Sequence, residues 1–111
     1  MYYLSNKNNG DQKKVDVGLL TKESIKLKKP KLYKVILLND DYTPMEYVVI
    51  LLKKIFNKTQ GEAVNVMLTV HKKGAGVCGV YTLEVAETKL KTVMDMAKTD
   101  QHPLQCIMEK D

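Results

Sequence analysis

The residues best equipped for chemistry are Asn39, Asp40 and Asp41, which are consecutive, and His71, which stands apart from them. An amide oxygen, two carboxylates and a neutral imidazole nitrogen all accept hydrogen bonds. An acceptor-rich corner of that kind suits an ammonium group, which brings three donors and no acceptor. Each member also has a plainer explanation. Asn and Asp are favoured in turns because their side chains bond the nearby backbone. A histidine in the last turn of a helix interacts well with the negative end of the helix dipole. The ammonium reading therefore needs all of these groups in one place. Met45, Val48, Met67 and Val70 would then wall an apolar hole beside them, methionine being flexible enough to fit several side-chain shapes. At helical spacing the same four residues read equally well as core.

Catalysis finds less support. Asp40, Asp41 and His71 are in principle able to hold a metal or move protons. No nucleophile with a partnered base is evident, however, and no Gly-rich phosphate loop precedes a helix, since Gly74-Ala75-Gly76 leads into a strand. The residues point to binding rather than turnover, with no cofactor and no metal called for. Cys78 and Cys106 are far apart and form no cluster with His71 or His102, so both are expected as buried free thiols.

These groups must be positioned by an ordered set of elements. Leu32 to Leu38 is a β-rich run between Pro30 and Asn39-Asp40-Asp41, and its apolar density predicts an inner strand. Thr43-Pro44-Met45-Glu46 fits a helix start, with Thr43 and Glu46 as a capping box and Pro44 at the first helical position. Val48, Leu51, Leu52, Ile55 and Phe56 follow as its apolar stripe. Thr59 and Glu62 repeat the capping box, and Ala63, Val66, Met67 and Val70 make the stripe of a second helix that stops at Gly74. Val77 to Thr82 reads as a second strand, with glycines 74, 76 and 79 marking a turn and a close packing point. A third helix is predicted from Glu84 to Asp100, and a last strand over Leu104 to Met108. The order strand, helix, helix, strand, helix, strand predicts an α+β sandwich with helices on one face of a small sheet. The pattern leaves the strand pairing open.

The 111 residues allow one domain, and no apolar run approaches the length of a membrane span. No secretory signal is recognisable at the start, so free thiols and a cytoplasmic location are expected. The net charge of +5 hints at nucleic acid, but its distribution argues otherwise. Residues 1–30 hold seven Lys against three acids, whereas residues 31–111 hold eleven Lys against ten acids, and there is no Arg. Arg is the usual reader of phosphate and guanine, so neither a nucleic acid nor a membrane is expected as partner. Residues 1–30 lack sustained periodicity and are expected to be a flexible N-terminal extension, with the folded domain over 31–111.

Several of these segments closely resemble one family. Tyr33 through Glu46, Met67-Leu68-Thr69-Val70-His71, Val77 through Tyr81, Glu84 through Lys89 and His102-Pro103-Leu104 match the ClpS adaptors in order and without gaps. The resemblance covers about residues 31–111. It implies three helices packed on a three-stranded antiparallel sheet, and a monomeric, non-enzymatic adaptor. Such adaptors bind proteins whose first residue is Leu, Phe, Tyr or Trp and hand them to the ClpA-type AAA+ unfoldase and its ClpP peptidase. It further implies that Asn39, Asp40 and His71 hold the free α-ammonium group, with Asp41 and Thr43 on the rim. Met45, Val48, Met67, Val70 and Leu104 would line the side-chain pocket. Glu84 and Lys89 would dock on the N-terminal domain of the unfoldase, which the extension would engage during hand-over. An interaction module of the same fold that binds an internal segment is the alternative.

Overall fold

The computed structural model of the chain describes residues 30–111. The expected flexible extension, Pro30 apart, lies outside the described residues. The elements run β1 (Leu32–Leu38), α1 (Met45–Phe56), α2 (Gln60–Lys73), β2 (Ala75–Thr82), α3 (Leu83–Thr99) and β3 (Gln105–Lys110). This is the predicted β-α-α-β-α-β order, and β1 takes the inner position in a sheet ordered β2-β1-β3. Both pairings are antiparallel.

The helices cover one face of the sheet. Val35 and Leu37 point into that layer and are fully buried, where they join Leu51 and Leu52 of α1, Ala63 of α2 and Val93 of α3. The opposite face is open. Ile36 is paired with Val77 on one side and Ile107 on the other, and those two flanking side chains are 45% and 39% exposed. Ile36 itself is buried, so burial runs unbroken through Val35, Ile36 and Leu37 at the centre of β1, with the exposed side chains of the open face on the flanking strands.

The two helix ends that matter for the site are set by local sequence. Thr59 and Glu62 form the expected capping box: the Glu62 N–H donates to the Thr59 hydroxyl at 3.2 Å and the Thr59 N–H to the Glu62 carboxylate at 2.9 Å. At the other end of α2, Gly74 takes φ +88°, a conformation that costs glycine nothing, and its N–H donates to the Val70 carbonyl at 2.9 Å.

β2 carries a bulge. Val35 pairs with Gly79 but Ile36 with Val77, so Cys78 is the extra residue. Gly76 and Cys78 before the step and Tyr81 after it can all turn towards the helices. Gly76 is needed where α2 crosses: a Cβ there would lie 2.7 Å from Val70 Cγ2 and 3.4 Å from the Val66 carbonyl oxygen. The buried Val70 has little room to retreat, so Gly76→Ala should cost about 1–3 kcal/mol through overpacking. A urea titration should show a lower midpoint at an unchanged slope. An unmoved midpoint would mean that α2 can shift freely on the sheet. Cys78 and Cys106 are free and buried as expected. Burial, and for Cys78 also the neighbouring Cys106, pushes both thiols up to about 12. No helix among the described residues is long and apolar enough to cross a membrane.

Candidate functional site

The lip after β1 is organised by Asp40. Its Oδ1 accepts the backbone N–H groups of Tyr42 and Thr43 at 2.8 and 2.7 Å, and its Oδ2 accepts the Thr43 hydroxyl at 2.7 Å. This corrects the expected capping box at Thr43. The Thr43 hydroxyl is a donor to Asp40, no side chain caps α1, and Pro44 is the N-cap residue with an extended backbone at φ −65°, ψ 143°. The carbonyl of Pro44 accepts the N–H groups of Tyr47 and Val48. An ionised carboxylate within reach is a stronger acceptor than a hydroxyl oxygen, so it claims the turn and the Thr43 proton with it.

Partial burial acts to raise the Asp40 carboxyl. The Thr43 hydroxyl, the two backbone N–H groups and the field of His102 outweigh that effect and hold it below the usual carboxylate value. Asp40 is therefore an anion wedged into the turn that it builds. A carboxylate offers about four lone-pair positions, and three are taken by the turn. The Thr43 oxygen, whose O–H is directed at Asp40, still has lone pairs to offer.

Asn39 and Asp41 flank Asp40 on the lip, and the lip is tied through the backbone to the neighbouring helix end. The backbone N–H of Asn39 donates to the Gly74 carbonyl at 2.9 Å, while the Gly74 N–H donates to Val70. This pair of bonds ties the exit of β1 to the exit of α2, whose last turn carries His71. Asn39, Asp41 and His71 are exposed and Asp40 and Thr43 half-buried. Among the described residues no three His, Cys, Asp or Glu side chains group as a metal site.

The apolar candidates divide by depth. Val48, Val70 and Leu104 are buried members of the main core, and half-buried Met67 packs against it. Met45, the first residue of α1, stays 42% exposed. The core reading and the pocket reading of this stripe thus share residues: Val48, Val70 and Leu104 are placed by the core, and Met45 stands at its outer edge.

Glu84 and Lys89 sit elsewhere, on the first half of α3, and line an open depression of about 320 Å³ together with Val85 and Thr88. Glu84 is exposed. The Lys89 ammonium is half-occupied within the chain: it donates to the Ile55 carbonyl at 2.7 Å and lies over the rings of Phe56 at 5.7 Å and Tyr81 at 5.3 Å. It caps the last turn of α1 while facing the depression.

One group near the lip escaped the sequence reading. Tyr47, in the first turn of α1, donates its hydroxyl to Asp100 at 2.6 Å and meets the His102 ring edge-on at 4.3 Å between centroids. Burial, then the bond to Asp100 and its charge, push the Tyr47 phenol up to about 12. Spacing alone gave no signal for this contact, because its partners lie 53 positions apart.

The family model described as ATP-dependent Clp protease adaptor protein ClpS matches residues 28–107. The chain is similar to the ATP-dependent Clp protease adapter protein ClpS of Hyphomonas neptunium, 56% identical over 92% of this chain and 86% of that protein. It is similar to that of Caulobacter vibrioides strain NA1000 at 54% over 95% of this chain and 96% of the other. Among solved structures, Agrobacterium tumefaciens ClpS2 bound to L-phenylalaninamide superposes with a TM-score of 0.73 at 43% identity, over 75% of this chain and all of that one. The chain belongs to the ClpS family, which consists of adaptor proteins of the ATP-dependent Clp protease and not of enzymes.

Proposed function

We propose that this chain binds the free N-terminus of proteins that begin with Leu, Phe, Tyr or Trp and delivers them to a ClpA-type unfoldase working with ClpP. The observation that carries this reading is the ligand of the Agrobacterium relative, L-phenylalaninamide, which is an α-ammonium beside a bulky apolar side chain. The acceptors of this chain match the first half of that ligand: the Asn39 amide, the unspent lone pair of Asp40 and the His71 imidazole offer three partners to three N–H donors. A buried ammonium needs such partners, or its desolvation penalty dominates. Met45, Val48, Met67, Val70 and Leu104 take the side chain, and filling an apolar pocket with Leu or Phe is worth about 1.5–3 kcal/mol. Neither contribution overcomes the cost of association alone, so a ligand must present both. Asp41 and the Thr43 oxygen serve the first peptide units.

Delivery assigns the remaining surfaces. Glu84 and Lys89 dock on the N-terminal domain of the unfoldase, and residues 1–30 act as the extension that engages it. The adaptor works as a monomer in the cytoplasm. The test is binding of a Leu-first peptide, its N-acetylated form and a Val-first version by fluorescence anisotropy. Acetylation should weaken binding tenfold or more, since about 1.4 kcal/mol corresponds to each factor of ten and acetylation removes the charge that the acceptors serve. The Val-first peptide should also bind worse. Equal binding of all three would favour a module that reads an internal segment.

A further inference from the structure

The contact between Tyr47 and Asp100 joins the first turn of α1 to the end of α3. Tyr47 lies between Met45 and Val48 in the first turn of α1, a turn that no side chain caps. Asp100 ends α3, and the chain then turns sharply: Gln101 adopts φ +62° and the His102 N–H donates to the Ala97 carbonyl at 2.8 Å. Two residues later comes Leu104. The Tyr47 ring is held at two points, by its hydroxyl on Asp100 and by its face against the His102 edge. A phenol donating to a carboxylate at 2.6 Å is a charge-assisted bond, shorter and stronger than a neutral one. It ties the start of α1, which carries Met45 and Val48, to the segment that carries Leu104.

We propose that the Tyr47–Asp100 bond is a latch that fixes the distance between the α1 wall and the Leu104 wall and so sets which first side chains fit. Tyr47 is a positioning residue: its own hydroxyl is spent on Asp100, and it acts through Met45, the pocket candidate on α1 that the core leaves exposed. With the latch closed, the hole keeps one width. With the latch open, the uncapped first turn of α1 can move outward, so a larger first residue gains relative to a smaller one. This inference rests on the N-terminal reading above.

The test compares the full chain with Tyr47→Phe, Asp100→Ala and Asp100→Asn, using Leu-first and Trp-first peptides of otherwise identical sequence. Circular dichroism checks that each variant is folded. Tyr47→Phe keeps the ring against His102 and removes only the hydroxyl. The ratio of Trp-first to Leu-first affinity should rise at least about threefold in Tyr47→Phe and in Asp100→Ala, a change of under one factor of ten in binding constant. Asp100→Asn keeps an oxygen that accepts the phenol proton and should preserve the wild-type ratio. A merely structural role would weaken both peptides alike, and an unchanged ratio in folded Tyr47→Phe overturns the latch. The acetylated Leu-first peptide, measured alongside, separates the two failures. If the wild-type chain ignores acetylation, the N-terminal reading falls and the latch with it. If acetylation still abolishes binding while the ratio stays fixed, only the latch falls.

Discussion

Asp40→Ala should weaken binding of a Leu-first peptide by on the order of 100-fold. Two losses combine. The ligand ammonium loses a charged acceptor, a bond worth about 1.5–3 kcal/mol. The lip also loses the group that holds it, since the N–H groups of Tyr42 and Thr43 and the Thr43 hydroxyl all point at that one carboxylate. Asp40→Asn separates the two. Its side-chain oxygen still serves the two backbone N–H groups, but the charge is gone and the Thr43 hydroxyl loses its acceptor. If the charge faces the ligand, Asp40→Asn should fall within about threefold of Asp40→Ala, well under the tenfold that 1.4 kcal/mol brings. Near wild-type affinity in Asp40→Asn would leave Asp40 as a turn builder and remove it from the ammonium site. The pH dependence carries a definite sign. Because the folded-state carboxyl is held below its ordinary value, its contribution is complete above the unfolded value of about 3.9 and is lost only as pH falls through the lower folded value. Asp40 therefore contributes equally to binding at pH 5 and pH 7, and any difference measured there belongs to other groups.

Leu37→Ala should be among the most damaging single truncations of the fold, at about 2–5 kcal/mol for a fully buried leucine. Total stability of a domain is about 5–15 kcal/mol, so the variant should stand near the edge of unfolding at room temperature. Leu37 occupies the central strand, opposite Gly76 on one side and Cys106 on the other. Ile107, one residue along β3 on the open face, provides the contrast: Ile107→Thr should change stability by about 0.5–1 kcal/mol at most. Comparable losses at both positions in urea unfolding would mean that the open face is covered in solution.

What could be read from the sequence depended on how far each determinant lies from its partner. β1 was legible because one apolar run between turn residues defines it, and the Thr59 box because both of its bonds close within three residues. The box at Thr43 had the same three-residue signature and was misread. Asp40, three positions earlier, is a better acceptor, and a pattern confined to Thr43 and Glu46 leaves it out. Glycines 74, 76 and 79 mark a turn and a packing point without saying which is which, and the bulge at Cys78 leaves no mark, since a bulge shows only once the partner strand is known. The strand pairing itself came from the family resemblance and not from periodicity. Among the candidate site residues, Asn39, Asp40 and His71 are conspicuous as polar groups beside apolar runs. The Tyr47–Asp100 contact is hidden in the sequence, since one partner is an aromatic beside an apolar stripe and the other an ordinary acidic residue at a helix end.

The two cysteines have a consequence that reaches beyond packing. Thiols attack oxidants and disulfides as thiolates, and a thiol pushed up to about 12 is almost entirely protonated at neutral pH. Cys78 and Cys106 are the only cysteines in the chain, so it presents no ready nucleophilic sulfur while folded. Their low reactivity thus follows from where the sheet puts them. The sulfurs are silent towards redox chemistry until the sheet itself comes apart.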